Sequence, residues 1–174
     1  MISAWLILLP AVGYVPAGYR GVILRFGAVT SRILDEGIYV VTPVAETVQL
    51  MSVQTMAFKA EASAASQDLQ VVSTTVTLNY ALEPEKVSSI FQTLRLEYES
   101  RIIDPAIQEA VKSSTARFKA EELITKREVV REEIQRRLME RLGEHGMTVD
   151  KVNITNFDFS AQFNTAIEAK VTAE

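Results

Sequence analysis

The sequence predicts an α+β fold: an antiparallel β-sheet packed with helices, leading into a C-terminal helix and coiled coil. Three observations predict it. Val71–Leu82 alternates strictly, with Val72, Val76, Leu78, Tyr80 and Leu82 on one face (Thr74 among them) and Ser73, Thr75, Thr77 and Asn79 on the other. That is the pattern of a half-buried antiparallel strand. In the second half the period lengthens, and Val130, Ile134, Leu138 and Leu142 recur four residues apart, as on one helix face. Last, Phe163, Ile167 and Val171 form a stripe too narrow to be a globular core by itself.

The elements follow in order. Met1–Tyr19 carries no charged side chain, and Ile2–Leu9 (ISAWLILL) is a compact apolar block followed by Pro10, Gly13, Pro16 and Gly18. A helical span of a bilayer needs about 20 residues, and the prolines and glycines argue against an unbroken helix past Gly13. Three readings stay open: the end of a transmembrane helix, a short anchor in one leaflet, or a buried first element of a soluble domain. On the anchor readings Ile2, Trp5, Leu6, Ile7, Leu8 and Leu9 contact lipid, while Trp5, Tyr14 and Tyr19 suit headgroup depth and equally suit a core. Arg20–Gly27 is strand-like and closed by glycine, and Gly37–Val44 is a second apolar run that Pro43 ends. Thr47–Ala60 continues the β pattern, and the small polar run Glu61–Asp68 reads as a turn or exposed loop.

Pro84 opens a short helix through Val87, Ile90 and Phe91, with proline in its first turn. Ile103, Ile107, Ala110, Ser114 and Phe118 repeat at helical spacing, with Asp104–Pro105 as N-cap and first-turn proline. Thr125 and Glu128 have the spacing of a capping box. The helix they open carries the pairs Glu132–Arg136 and Glu133–Arg137, and Gly143 and Gly146 stop it. Val149–Phe159 reads as a strand whose apolar phase slips between Ile154 and Phe157, the mark of a bulge. Ser160 caps the last helix, which meets no stop signal before Glu174 and is expected to run on. The predicted division is 1–18 apolar anchor segment, 19–159 folded domain and 160–174 start of a coiled-coil helix.

Composition narrows the function. Among 174 residues there is no cysteine and one histidine, which excludes disulfides, thiolate zinc sites and multi-histidine metal sites. The net charge of -4 argues against a nucleic-acid surface. His145 sits in a glycine-flanked turn near Asp150, where a solvated helix-end histidine is favourable without catalysis. Lys112, Ser113 and Ser114 are adjacent, and neighbours on a helix diverge by about 100°, so no Ser–Lys dyad is aimed. Glu121–Glu122 and Glu132–Glu133 diverge likewise. No catalytic residue, cofactor site or metal site is assigned, and the chain is expected not to be an enzyme.

Val15–Gly27 (VPAGYRGVILRFG), Glu36–Pro43 (EGIYVVTP), Ser66–Gln70 (SQDLQ), Ala116–Glu128 (ARFKAEELITKRE) and Phe157–Lys170 (FDFSAQFNTAIEAK) stand in an order that resembles the SPFH (band 7) family, the prohibitins in particular. Gln67 replaces a lysine of the prohibitin S-K-D-L-Q, and Tyr39 takes an aromatic place without the histidine that the family carries nearby. The resemblance implies a membrane-anchored scaffold that organises microdomains and regulates a membrane-bound AAA+ protease. Its implied partners are membrane lipids, a homo- or hetero-oligomer of SPFH proteins and that protease, with no nucleic acid and no cofactor. It implies residence in a bacterial plasma membrane or mitochondrial inner membrane, anchored by the N-terminus. The expected oligomer interface is Val130, Ile134 and Leu138 on the long helix with Phe163, Ile167 and Val171 on the last. A peripheral lipid-binding module without ring assembly is the alternative.

Overall fold

The computed structural model describes residues 10–155 and 157–171; the side chains of residues 167, 168, 170 and 171 are not part of that description. The membrane-anchor residues Ile2, Trp5, Leu6, Ile7, Leu8 and Leu9 lie outside it.

The chain opens with five strands: β1 (Ala11–Val15), β2 (Tyr19–Arg25), β3 (Ala28–Leu34), β4 (Gly37–Val41) and β5 (Glu46–Ser52). β1 and β4 pair as an antiparallel ribbon, and β2 is the middle strand of a β3–β2–β5 sheet. Two long strands follow, β6 (Met56–Ala65) and β7 (Val71–Leu82). After a 3-10 turn at Pro84–Lys86 come α1 (Val87–Leu94), a π-helical turn at Glu99–Ile103, α2 (Asp104–Thr115), α3 (Ala120–Thr125) and α4 (Arg127–Gly143). The chain then returns to β7 through β8 (Met147–Ile154) and β9 (Asp158–Phe159), and leaves through α5 (Ala161–Val171).

The expected alternation of β7 decides the core. Val76, Leu78 and Tyr80 are each 0% exposed, and Val72, Thr74 and Leu82 share their face. α2 lies on β6 and on α4, α4 lies on β8, and α1 reaches across to β2 and β3. One apolar core therefore runs from the large sheet into the helices. A smaller one, centred on Val15, Ile23 and Leu34, lies between the ribbon and the first sheet.

Several elements differ from the sequence expectation. Glu61–Asp68 is mostly strand, because β6 stays in register with β7 as far as Ala65 opposite Val71. Its alanines resemble loop composition because a helix packs on them: Ala60 and Ala62 are buried, Gln108 donates to the Glu61 carbonyl at 2.8 Å, and Thr115 donates to that of Ala65 at 3.2 Å. Asp104 caps nothing, since the π-helical turn runs straight into α2 with Ile103 already helical. Thr125 forms no capping box; its hydroxyl donates to the Glu121 carbonyl within α3.

β3 carries no alternation that separates it from loop, and the short alternation of β1 lies inside the apolar N-terminal stretch. β1 is set by shape. A Cβ on Gly13 would lie 2.5 Å from the ring end of Tyr39, so glycine is what lets that aromatic cross the ribbon. Ala11–Val15, placed in the anchor segment by sequence, is thus a paired strand. Val149–Phe159, expected as one strand with a bulge between Ile154 and Phe157, is instead two strands, β8 and β9. Thr155 bridges the gap between them, exchanging hydrogen bonds with the Thr75 backbone at 3.0 Å. A second irregularity, opposite Asn79 and Tyr80, was not signalled by the pattern.

Candidate functional site

The expected assembly surface divides in two. Val130, Ile134 and Leu138 are each 0% exposed within a single chain. They belong to the main core together with Leu142 and the buried residues of α2 and β8. They are core residues and not an oligomer interface. The four-residue repeat was read correctly as one face, but the sheet and α2 already occupy that face. The outward surface of α4 is charged instead. Glu133 accepts from Arg137 at 2.7 Å, Arg136 at 2.9 Å and Arg117 at 3.1 Å. Arg136, then Arg137, holds the Glu133 carboxyl below the usual carboxylate range. The expected Glu132–Arg136 pair is replaced by Arg136 reaching Glu133 and Glu140.

The last helix is different. Ser160 caps it, its Oγ accepting from the Phe163 amide at 3.4 Å, while its carbonyl accepts the first helical bonds from the Phe163 and Asn164 amides at 3.0 and 3.1 Å. Phe163 is half-buried, its ring 5.0 Å from that of Phe159. Ala161, Gln162, Asn164, Thr165 and Ala166 are exposed. The helix thus touches the domain through its first turn. Ile167 and Val171 have side chains outside the described set. Beside this junction a groove of about 330 Å³ is lined by Leu123, Ile124, Arg127, Phe157, Phe159 and Asn164.

Two sequence motifs, 50 residues apart, meet next to that groove. The β6–β7 loop carries Ser66–Gln70, and the α2–α3 loop begins the Ala116–Glu128 stretch. The Gln67 amide donates to the Phe118 carbonyl at 2.8 Å. The Asp68 carboxylate accepts the Ala120 amide at 2.9 Å and the Ser66 hydroxyl at 2.6 Å. Asp68 therefore satisfies a free amide at the start of α3 from a distant part of the chain, as Glu122 does for the Lys119 amide at 3.1 Å. The Ser66 hydroxyl, followed by the Ala120 amide, keeps the Asp68 carboxyl below its ordinary value. These motifs build structure; nothing in them is arranged for proton transfer.

The candidate chemistry disperses in the same way. Ser113 donates to the Glu109 carbonyl at 2.7 Å, while Ser114 is 0% exposed in the core, so neither meets Lys112. His145 is half-buried at the end of α4. Tyr80 donates to Glu99 at 2.6 Å, and burial, then that carboxylate, pushes its phenol well above the ordinary range. Among the described residues no cluster of three or more acidic, histidine or cysteine side chains is placed to hold a metal. Among them, too, no helix is long and apolar enough to cross a membrane.

Sequence reasoning missed the exposed apolar surface of the first sheets. Val12, Tyr14, Ile38 and Val40 stand on the open face of the β1–β4 ribbon, with Val12 opposite Val40 and Tyr14 opposite Ile38. Tyr19, for which headgroup depth and a core place were both open, packs on the smaller core. The alternation Val12–Tyr14 and Ile38–Val40 was visible, but only the pairing of the two strands makes it one surface.

The model of the SPFH domain / Band 7 family matches residues 14–174, and the chain belongs to that family. Within it the chain is prohibitin-like. It is 34% identical to Prohibitin-1 of Schizosaccharomyces pombe over 161 residues, 92% of this chain and 57% of that protein. It is 32% identical to Prohibitin-1 of Saccharomyces cerevisiae, over 92% of this chain and 56% of that protein. It is 29% identical to Mitochondrial prohibitin complex protein 1 of Caenorhabditis elegans, over 92% of this chain and 58% of that protein. The chain thus spans somewhat over half the length of the curated relatives it matches.

Proposed function

We propose that this chain is the membrane-attached domain of an oligomeric scaffold of the prohibitin type, without catalysis of its own. The observation that carries the reading is the match to prohibitins over 92% of the chain. In this reading Ile2–Leu9 anchors the chain in the bilayer, and the described domain stands on the membrane surface. α5 begins the segment through which copies associate, with Phe163, Ile167 and Val171 facing a neighbour. The assembly encloses lipid and protein microdomains and restrains a membrane-bound AAA+ protease. The proposed location is a bacterial plasma membrane or a mitochondrial inner membrane.

Membrane attachment is tested by deleting Ile2–Leu9 and washing the membrane fraction with high salt. Burying one Leu or Ile side chain contributes about 1.5–3 kcal/mol, so a block of five holds a domain of this size on a bilayer. The deletion is expected to move the protein into the soluble fraction. A deletion variant that still pellets with membranes contradicts the anchor. For the protease, co-purification of an AAA+ protease with the detergent-extracted assembly supports the reading, and an unchanged turnover of its membrane substrates when the scaffold is removed contradicts it.

A further inference from the structure

We infer that the paired turns carrying Phe26 and Val44 form a second lipid-contacting tip, which seats the folded domain on the same bilayer that the N-terminal block enters; the inference rests on the membrane reading above. Phe26 lies in the β2–β3 turn and Val44 in the β4–β5 turn. They are 81% and 87% exposed, among the most exposed large apolar side chains described. Both have positive φ, 48° and 70°. That backbone region is costly for a bulky or β-branched residue, and turns ordinarily put glycine or asparagine there. Leu69 in the β6–β7 turn shares both features, so what distinguishes Phe26 and Val44 is that their two turns are joined into one surface.

The turns are held rigid and side by side. The Phe26 amide donates to the Ala45 carbonyl at 2.8 Å. Across the second turn, the Glu46 amide donates to the Thr42 carbonyl at 2.9 Å, and the Thr42 amide to the Glu46 carboxylate at 2.9 Å. Arg25 completes the clamp on Glu46 at 2.9 Å. Hydrogen bonding from Thr42, then Arg25, holds the Glu46 carboxyl below the usual range, so it stays ionised and the clamp stays closed. The two apolar side chains are thereby fixed outward.

Position and charge then select the occupant. A cavity of about 470 Å³ beside these turns is lined by Pro10, Arg25, Arg32, Val40, Pro43 and Glu46, among others. Pro10 directly follows Ile2–Leu9 in the sequence, so the apolar block joins the described domain beside the tip. Two arginines against one glutamate leave a positive balance there, although the whole chain carries -4. An apolar tip ringed by arginine, at the root of an apolar segment, fits a bilayer with anionic headgroups. A protein partner would have to share that surface with the emerging anchor. Val12 and Val40 extend the apolar surface away from the tip along the ribbon.

The chain has no cysteine, so single-cysteine variants report one site each. Phe26→Cys, Val44→Cys and, on the charged face of α4, Glu132→Cys would be made in the full chain. Each would carry an environment-sensitive fluorophore and be reconstituted into phosphatidylcholine vesicles with 30 mol% phosphatidylglycerol. Flotation first reads attachment; lipid-borne and aqueous quenchers then read depth in the floated fraction. The expected result is quenching of the probes at 26 and 44 by lipid-borne spin label and shielding from aqueous iodide by severalfold relative to 132. Arg32→Gln is expected to weaken that contrast, as is omission of phosphatidylglycerol. A floated protein whose probes at 26 and 132 meet iodide equally overturns the tip and leaves the anchor standing. A chain that does not float overturns both. Because a cysteine at 26 removes the ring under test, Phe26→Trp combined with Trp5→Phe, which leaves the probe at 26 as the single tryptophan, read by its quenching with brominated lipid against the same variant in water, provides the second measurement. An unquenched tryptophan likewise overturns the tip.

Discussion

Replacing Ile134 by alanine separates a core role for α4 from an interface role. Ile134 is 0% exposed in the single chain, and Val130, Leu138 and Leu142 beside it are equally covered. Its neighbours belong to α2, β8 and α4 itself, which are tied into the rest of the core and cannot close the space freely. Truncating a buried isoleucine to alanine costs about 2–5 kcal/mol, the upper end applying where the site does not collapse. For a chain of this size each kcal/mol lowers Tm by about 2–4 °C. The expected loss is therefore on the order of 10 °C, measured by circular dichroism at a concentration where the protein is dispersed in detergent. Val129→Ala, on the exposed side of the same helix at 53% exposure, is the control and stays within about 0.5 kcal/mol of wild type. If Ile134→Ala melts within 2 °C of wild type while the assembly falls apart, the core assignment is wrong and α4 belongs to an interface.

Asp68→Ala removes the carboxylate that accepts the Ala120 and Ser66 donors, and is expected to lower Tm at neutral pH. The folded-state pKa of Asp68 is depressed, so its contribution is present above its ordinary value of 3.8 and is lost as pH falls below that; the Tm gap to wild type should close in acid. A gap that persists unchanged at low pH contradicts the ionised cap. Gly146→Ala puts a side chain at φ 79° and its Cβ 2.8 Å from Lys86 Cβ, so a loss of about 1–2 kcal/mol is expected in a denaturant titration. Equal stability would show that the turn relaxes. His145→Gln should retain fold, assembly and cellular function, while a large functional loss at unchanged Tm would bring proton-transfer chemistry back into question.

Much of the large sheet and of the helical half was legible because burial there follows one period at a time. β7 alternates over its whole length, and α4 shows its buried stripe at every fourth residue. What the period cannot state is what covers the stripe, and that is how Val130, Ile134 and Leu138 were assigned to a neighbour when α2 and β8 cover them. Glu61–Asp68 misled for a related reason: small residues mark loops, and they also mark strands that a helix approaches closely. Capping was misplaced because it is non-local. Asp68 serves α3 from the β6–β7 loop, whereas the local Thr125–Glu128 spacing forms nothing. The tip at Phe26 and Val44 was invisible because each lies alone in sequence, and only the hydrogen bond between their turns makes them one surface.

The claim that the chain is the membrane-attached unit of a large oligomer is tested most directly by its mass. The natural protein would be extracted from its own membranes in mild detergent and measured by light scattering with detergent subtraction, beside an Ile167→Asp variant. The account predicts an assembly many times the protomer mass for wild type. For Ile167→Asp it predicts a small species with an unchanged circular dichroism spectrum, because a charge placed in a buried apolar seam is rarely compensated. A wild-type protein that leaves the membrane as a monomer, or an Ile167→Asp variant that assembles as wild type does, contradicts it.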